Sequence, residues 1–212
     1  SVIKSTAIDP SVVDKDGIYR KTGPARVFSS ENEAIRAIKS TDDKSKIQAG
    51  DIMVVKCAGP QGTGMEELYQ ITAALKHLSY GKHVALITDA RFSGVSTGAC
   101  IGHVGPEALA DGPIAKLKDG DQIEIMIDRI NLFGSINLVG ELGAYMGSDW
   151  GDKELSKRPI PRDLSPHPKL PEDTRLWAAL QSASGGTWGG CVFDVDDIVK
   201  TLEAGQAVLE NN

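Results

Sequence analysis

Two short apolar runs constrain this chain more than any other feature. They are residues 52–56 in "GDIMVVKC" and residues 83–88 in "KHVALITDA", and each runs straight on into a glycine-rich loop, "GPQGTG" and "RFSGVSTG". An uninterrupted stretch of branched aliphatics bounded by turn residues marks a buried strand. Between them Met65, Leu68, Ile71 and Leu75 recur at helical spacing, which predicts a helix over 65–78. Strand, loop, helix and strand in this order belong to a mixed α/β fold. The 23 glycines and 5% aromatic content fit a turn-rich fold better than a helical bundle.

The flanking sequence extends the same pattern. In "SSENEAIRAIKS", Ser30 and Glu33 form an S-x-x-E capping box ahead of the apolar face of Ala34, Ile35 and Ile38, predicting a helix over 31–39. Ile123, Ile125 and Ile127 alternate with Gln122, Glu124 and Met126, as in a half-buried strand over 122–128, with "FGSINLVG" as its partner over 135–139. A further strand is expected at 26–28, a short helix at 106–111 opening on Pro106, and a terminal helix over 195–204. After about residue 150 the composition shifts. "SKRPIPRDLSPHPKLPED" holds five of the ten prolines and reads as an extended connector, so the expected organisation is a domain over 1–150 and a Pro-rich connector with a C-terminal helix packed on it over 151–212.

A formal charge of −6, with no run of Lys or Arg longer than two, argues against a nucleic-acid partner. No stretch approaches the roughly 18 apolar residues of a membrane span, and "SVIKSTAIDP" lacks the apolar core of a signal peptide. Cys57, Cys100 and Cys191 are scattered and odd in number, as expected for reduced, small buried side chains in a cytoplasmic protein. The chain begins at Ser1 without Met, which reads as a boundary inside a longer chain.

The loop "RFSGVSTG" carries the chemistry. Gly94-Val95-Ser96-Thr97-Gly98 matches G-x-S-x-G, which would make Ser96 the nucleophile of an α/β-hydrolase. The context opposes that reading. "ACIGHVGP" breaks the helix that should follow, and the only downstream histidines are His103, with no acid between, and His167, between two prolines.

Taken with "AGPQGTGMEEL", the stretch "ALITDARFSGVSTGACIGHVGPEALADGPIAKLKDGDQIEI" closely resembles the C-terminal domain of the dihydroxy-acid dehydratase and 6-phosphogluconate dehydratase family. The resemblance is dense over residues 50–128. It implies a swivelling β/β/α domain with a β-barrel-like core, plus an irregular C-terminal extension. It also implies a hydro-lyase that takes water from a 2,3-dihydroxy acid or sugar acid and leaves a 2-keto acid. Ser93 would then be the base, Glu67 a magnesium ligand, and Gly94, Ser96 and Thr97 substrate contacts. An iron–sulfur cluster (2Fe-2S or 4Fe-4S) and the rest of the magnesium site would belong to a larger N-terminal domain, the partner of this one in a full-length homo-oligomer. Alone, this chain should be inactive.

These residue types suit that chemistry. A serine hydroxyl is a poor base unless cations and donors hold it as an alkoxide, and a carboxylate oxygen is the hard ligand magnesium prefers. Gly62 and Gly64 let the backbone approach closely. Each residue also has a plainer role. Ser93 can bond its own turn, and Glu67 can favour a helix N-terminus, with Glu66 beside it as an alternative ligand. Asp89 and Arg91 can form an ion pair shaping the loop, while His77 and His83 flank a surface turn. Val95, where the family is usually glycine, and Ala90 leave the substrate open. A different class of function is a stand-alone binding or regulatory domain that kept the fold without the catalysis.

Overall fold

The structure, a computed structural model, describes residues 1–211. Eight strands form one mixed sheet: β1 (Val2–Ile3), β2 (Ile18–Phe28), β3 (Ile52–Val55), β4 (Ala85–Thr88), β5 (Ala99–Gly102), β6 (Asp121–Asp128), β7 (Phe133–Glu141) and β8 (Ala144–Tyr145). Their order is β1-β5-β4-β3-β2-β6-β7-β8. The helices are α1 (Glu31–Lys39), α2 (Pro60–Thr63), α3 (Gln70–Lys76), α4 (Ser148–Lys157), α5 (Glu172–Ala183) and α6 (Val195–Glu210).

The long strand β2 joins two halves of the sheet. Its first part, from Ile18 to Pro24, pairs antiparallel with β6, and its last four residues pair parallel with β3. Gly23 lies just before the change of partner, where an added methyl would sit 2.1 Å from the Gly50 carbonyl oxygen.

β3 and β4 are buried on both faces, as parallel strands covered from both sides must be. Ile52, Val54, Ala85 and Ile87 face one core with Ile101, Ile123, Ile125 and Ile127. Met53, Val55 and Leu86 face the other, against Ala34 and Ile38 of α1 and Ile71 and Leu75 of α3. Fully burying one such side chain contributes about 1.5–3 kcal/mol. The sheet curls around the first core until Ile3 of β1 lies against Gly134 of β7.

The Ser30 half of the capping box forms, with Ser30 Oγ accepting from Glu33 N at 3.3 Å, while the Glu33 carboxylate accepts from Ser29 N, one residue before the cap, at 2.9 Å. The helix expected over 65–78 is shorter. Met65 takes a positive φ of 65°, residues 66–68 are extended against Arg91, and α3 begins only at Gln70. Competing backbone pairing overrides the helical spacing there: Leu68 N donates to Arg91 O at 2.9 Å. The helix expected at 106–111 is a single 3-10 turn, Ala108–Ala110. The strand at 26–28 is the end of the eleven-residue β2, and the terminal helix runs on to Glu210.

Strand β5 and helices α4 and α5 were not expected. α4 crosses residue 150 and lies so close on β7 that a methyl on Gly151 would meet the Leu138 carbonyl oxygen at 1.7 Å. Just past α4, buried Arg158 donates to both Asp121 oxygens, one at 2.9 Å, and to Glu154 at 3.0 Å, tying the helix to the start of β6. Among the described residues no helix is long and apolar enough to cross a membrane.

Candidate active site

The C-terminal ends of β3 and β4 carry the two glycine-rich loops side by side. Asp89, the first residue after β4, is fully buried and accepts three backbone N–H groups, from Cys57 (3.2 Å), Ala58 (3.0 Å) and Ala108 (2.9 Å). Burial raises its pKa, and the three donors oppose that rise. The expected ion pair with Arg91 does not form. Arg91 is exposed, and its Nε donates to Met65 O at 2.8 Å. A buried carboxylate that takes three main-chain donors holds the loops together more directly than a surface pair would.

A second carboxylate grips the first of these loops further along. Glu107, 4% exposed, accepts the Gln61 N–H with its two oxygens at 3.1 and 3.0 Å. Burial, reinforced by nearby Asp89, outweighs the Gln61 N–H and pushes its pKa up to about 7. Thr63 Oγ1 donates to Ala58 O and accepts from Glu66 N. The chain then passes to Glu67, whose backbone bridges to Arg91 in parallel register.

Ser93 lies two residues beyond Arg91, the residue that Glu67 bridges, past the C-terminal end of β4. Ser93 is half-buried and lines a cavity of about 150 Å³ with Lys4, Phe92, Gly94, Ser96 and His103. Glu67 is exposed and does not line this cavity. Lys4 Nζ donates to the Gly94 carbonyl oxygen, bringing an ammonium group to the residue after Ser93. Burial, with Arg91 nearby, lowers the His103 pKa and favours its neutral form.

Ser96 turns inward. It is 4% exposed, and its Oγ accepts from Thr72 Oγ1 at 3.2 Å. β5 rather than a helix follows it, so the nucleophile-elbow geometry is absent. Gly94 and Thr97 are exposed. Lys4, His103 and Glu107 were not singled out as site residues by sequence reasoning. Nothing in the spacing of Lys4 or Glu107 pointed there, because each reaches the site only through the folded loops.

The donor sets differ in what they fit. Glu67 offers an exposed carboxylate, with Glu66 beside it, and so fits as a partial magnesium ligand set. The cysteines do not fit a cluster. Cys57 and Cys100 belong to opposite cores, where burial pushes their thiols to about 11 and about 12, and Cys191 lies in the C-terminal segment. Among the described residues no group of three His, Cys, Asp or Glu side chains is placed to hold a metal.

Residues 1–144 match the model of the dihydroxy-acid/6-phosphogluconate dehydratase C-terminal family. The chain belongs to this family. It is 60% identical to the D-xylonate dehydratase YagF of Escherichia coli over 209 residues, covering 99% of the chain and 31% of that relative. It is also 60% identical to the E. coli D-xylonate dehydratase YjhG over 204 residues, 95% of the chain and 30% of that relative. The dihydroxy-acid dehydratase of Caldanaerobacter subterraneus is 49% identical over 128 residues, 60% of the chain and 21% of the relative. The chain thus spans about a third of the length of the curated D-xylonate dehydratases it matches. Those two relatives continue through the C-terminal segment, which lies beyond the family match.

Proposed function

We propose that this chain is the swivelling, C-terminal part of a cytoplasmic, iron–sulfur- and magnesium-dependent hydro-lyase that converts a sugar acid of the xylonate type to a 2-keto acid. Ser93 is its base and Glu67 its contribution to the magnesium site. The observation that carries this reading is the 60% identity to two D-xylonate dehydratases, supported by the backbone bridge from Glu67 to Arg91, two residues before Ser93. The cysteines of this chain leave the cluster to an N-terminal partner domain, and the full-length protein would form a homo-oligomer.

In this reading Ser93 Oγ, as the alkoxide, takes the proton from C2. The electron pair left behind forms the C2–C3 double bond as the C3–O bond breaks and hydroxide departs. The hydroxide leaves as water after taking back the proton from Ser93, which restores the alkoxide. The resulting enol then becomes the 2-keto acid. The ammonium of Lys4, held on the neighbouring carbonyl, favours the ionised serine. When bound, magnesium would steady the carboxylate end of the substrate from the Glu67 side. Gly94 and Thr97 face solvent, where a substrate would arrive, and Ser96 supports the loop from beneath.

The test is Ser93→Ala in the protein spanning the full length of its relatives, assayed anaerobically on D-xylonate. Turnover should fall by about 10²–10⁴-fold, as for loss of a general base. Near-normal turnover would remove Ser93 from the mechanism.

A further inference from the structure

We propose that the C-terminal segment 165–193 is a clamp that positions Glu67 by gripping the 60–65 turn from outside. The role given to Glu67 rests on the dehydratase reading above, whereas the grip itself is a matter of contacts.

Three contacts join the segment to the turn, and a fourth reaches Gly105. His167 N donates to Gly62 O at 2.8 Å, so the proline-rich connector is hydrogen-bonded to the loop it crosses. Gly64, with a φ of +73°, lies under Thr174 of α5, and an added methyl there would be 2.4 Å from Thr174 Cγ2. Cys191 Sγ sits 3.7 Å from Met65 Sδ. Further along, a methyl on Gly105 would be 2.7 Å from Thr187 Oγ1. Tail residues thus pack closely on both glycines.

The segment is braced on its own side. Gln181, 2% exposed, donates from Nε2 to Cys191 O at 3.2 Å and so holds the loop that carries Cys191. The inner face of the same turn is held by Asp89 at Cys57 and Ala58 and by Glu107 at Gln61. Residues 57–65 are thus fixed from both sides, and Glu67 leaves the grip two residues later, bridged to Arg91. A ligand carboxylate on an exposed loop needs its backbone fixed to hold one position.

The distribution of the segment fits this role. The two D-xylonate dehydratases align with this chain over 209 and 204 residues, whereas the family match ends at residue 144 and the dihydroxy-acid dehydratase aligns over 128. The segment is thus shared with these two D-xylonate dehydratases and lies beyond the family match.

Thr174→Arg drives a long side chain against Gly64, and Gln181→Ala frees the Cys191 loop. Neither changes the sheet. Hydrogen–deuterium exchange on each variant should show amides of 59–68 exchanging at least about tenfold faster, with β3 and β4 unchanged. In the full-length protein the half-saturating magnesium concentration should rise about tenfold, with turnover restored by excess magnesium, which general misfolding would not allow. Faster exchange confined to 165–193, with 59–68 keeping wild-type protection, overturns the clamp. Glu67→Gln is measured in parallel. If it leaves the magnesium requirement unchanged, the metal role of Glu67 fails, while the exchange result still decides the clamp.

Discussion

Replacing Glu107 by Gln should stabilise the protein in mild alkali and lose that advantage in mild acid. The carboxyl is raised from an ordinary 4.5 to about 7 in the folded protein, with burial as the leading cause. A raised folded pKa means the native state holds the proton more tightly than the unfolded chain. Stability is therefore greatest below 4.5, falls as the pH rises, and carries the full penalty above 7. At about 1.36 kcal/mol per tenfold change in proton affinity, the whole penalty is roughly 3–4 kcal/mol, of which about 2–3 kcal/mol falls between pH 5 and pH 8. Glutamine does not titrate, and its carbonyl oxygen can still accept from Gln61 N. Its amide nitrogen lines the same cavity as Gln181, whose buried Oε1 has no partner among the described residues. Packing changes are common to both pH values and cancel in the difference. Urea unfolding followed by tryptophan fluorescence at pH 5 and pH 8 gives that difference directly. A Glu107→Gln effect that is equal at the two pH values to within about 0.5 kcal/mol would refute the assignment of a buried, proton-retaining carboxyl at this position.

Asp89→Ala strips three buried main-chain donors of their acceptor, so a loss of about 3 kcal/mol or more is expected in the same urea assay. Arg158→Met leaves Asp121 buried and unpaired and should cost about 3–5 kcal/mol. Most of that loss should be recovered in the double variant with Asp121→Leu, measured as a thermodynamic cycle.

Local chemistry was legible in the sequence wherever it was also decisive. The Ser30–Glu33 cap, the isoleucine alternation of β6 and the aliphatic runs of β3 and β4 each specify an element without help from distant residues. The spacing of Met65, Leu68 and Ile71 was misleading because these side chains are buried whether the chain coils or extends, and hydrogen bonds to Arg91, over twenty residues away, decide between the two. β5 was hidden by the glycines and proline that follow it, since punctuation ends a strand as readily as it prevents a helix. At the site, the family resemblance picked out Ser93 and Glu67, and the fold bridges Glu67 to Arg91, two residues before Ser93. The carboxylates that brace them could not be read in the same way. Asp89 looked like a partner for Arg91 because both are charged and near in sequence, but a buried carboxylate follows available N–H groups, and those come from residues 57, 58 and 108.

The change of partner along β2 has a mechanical consequence. Because one continuous strand is hydrogen-bonded to β6 at its beginning and to β3 at its end, sliding it by a single residue would invert side chains in both halves of the sheet together. Neither half can slip or melt on its own without dragging the other, so heat should take residues 1–145 apart in one cooperative step.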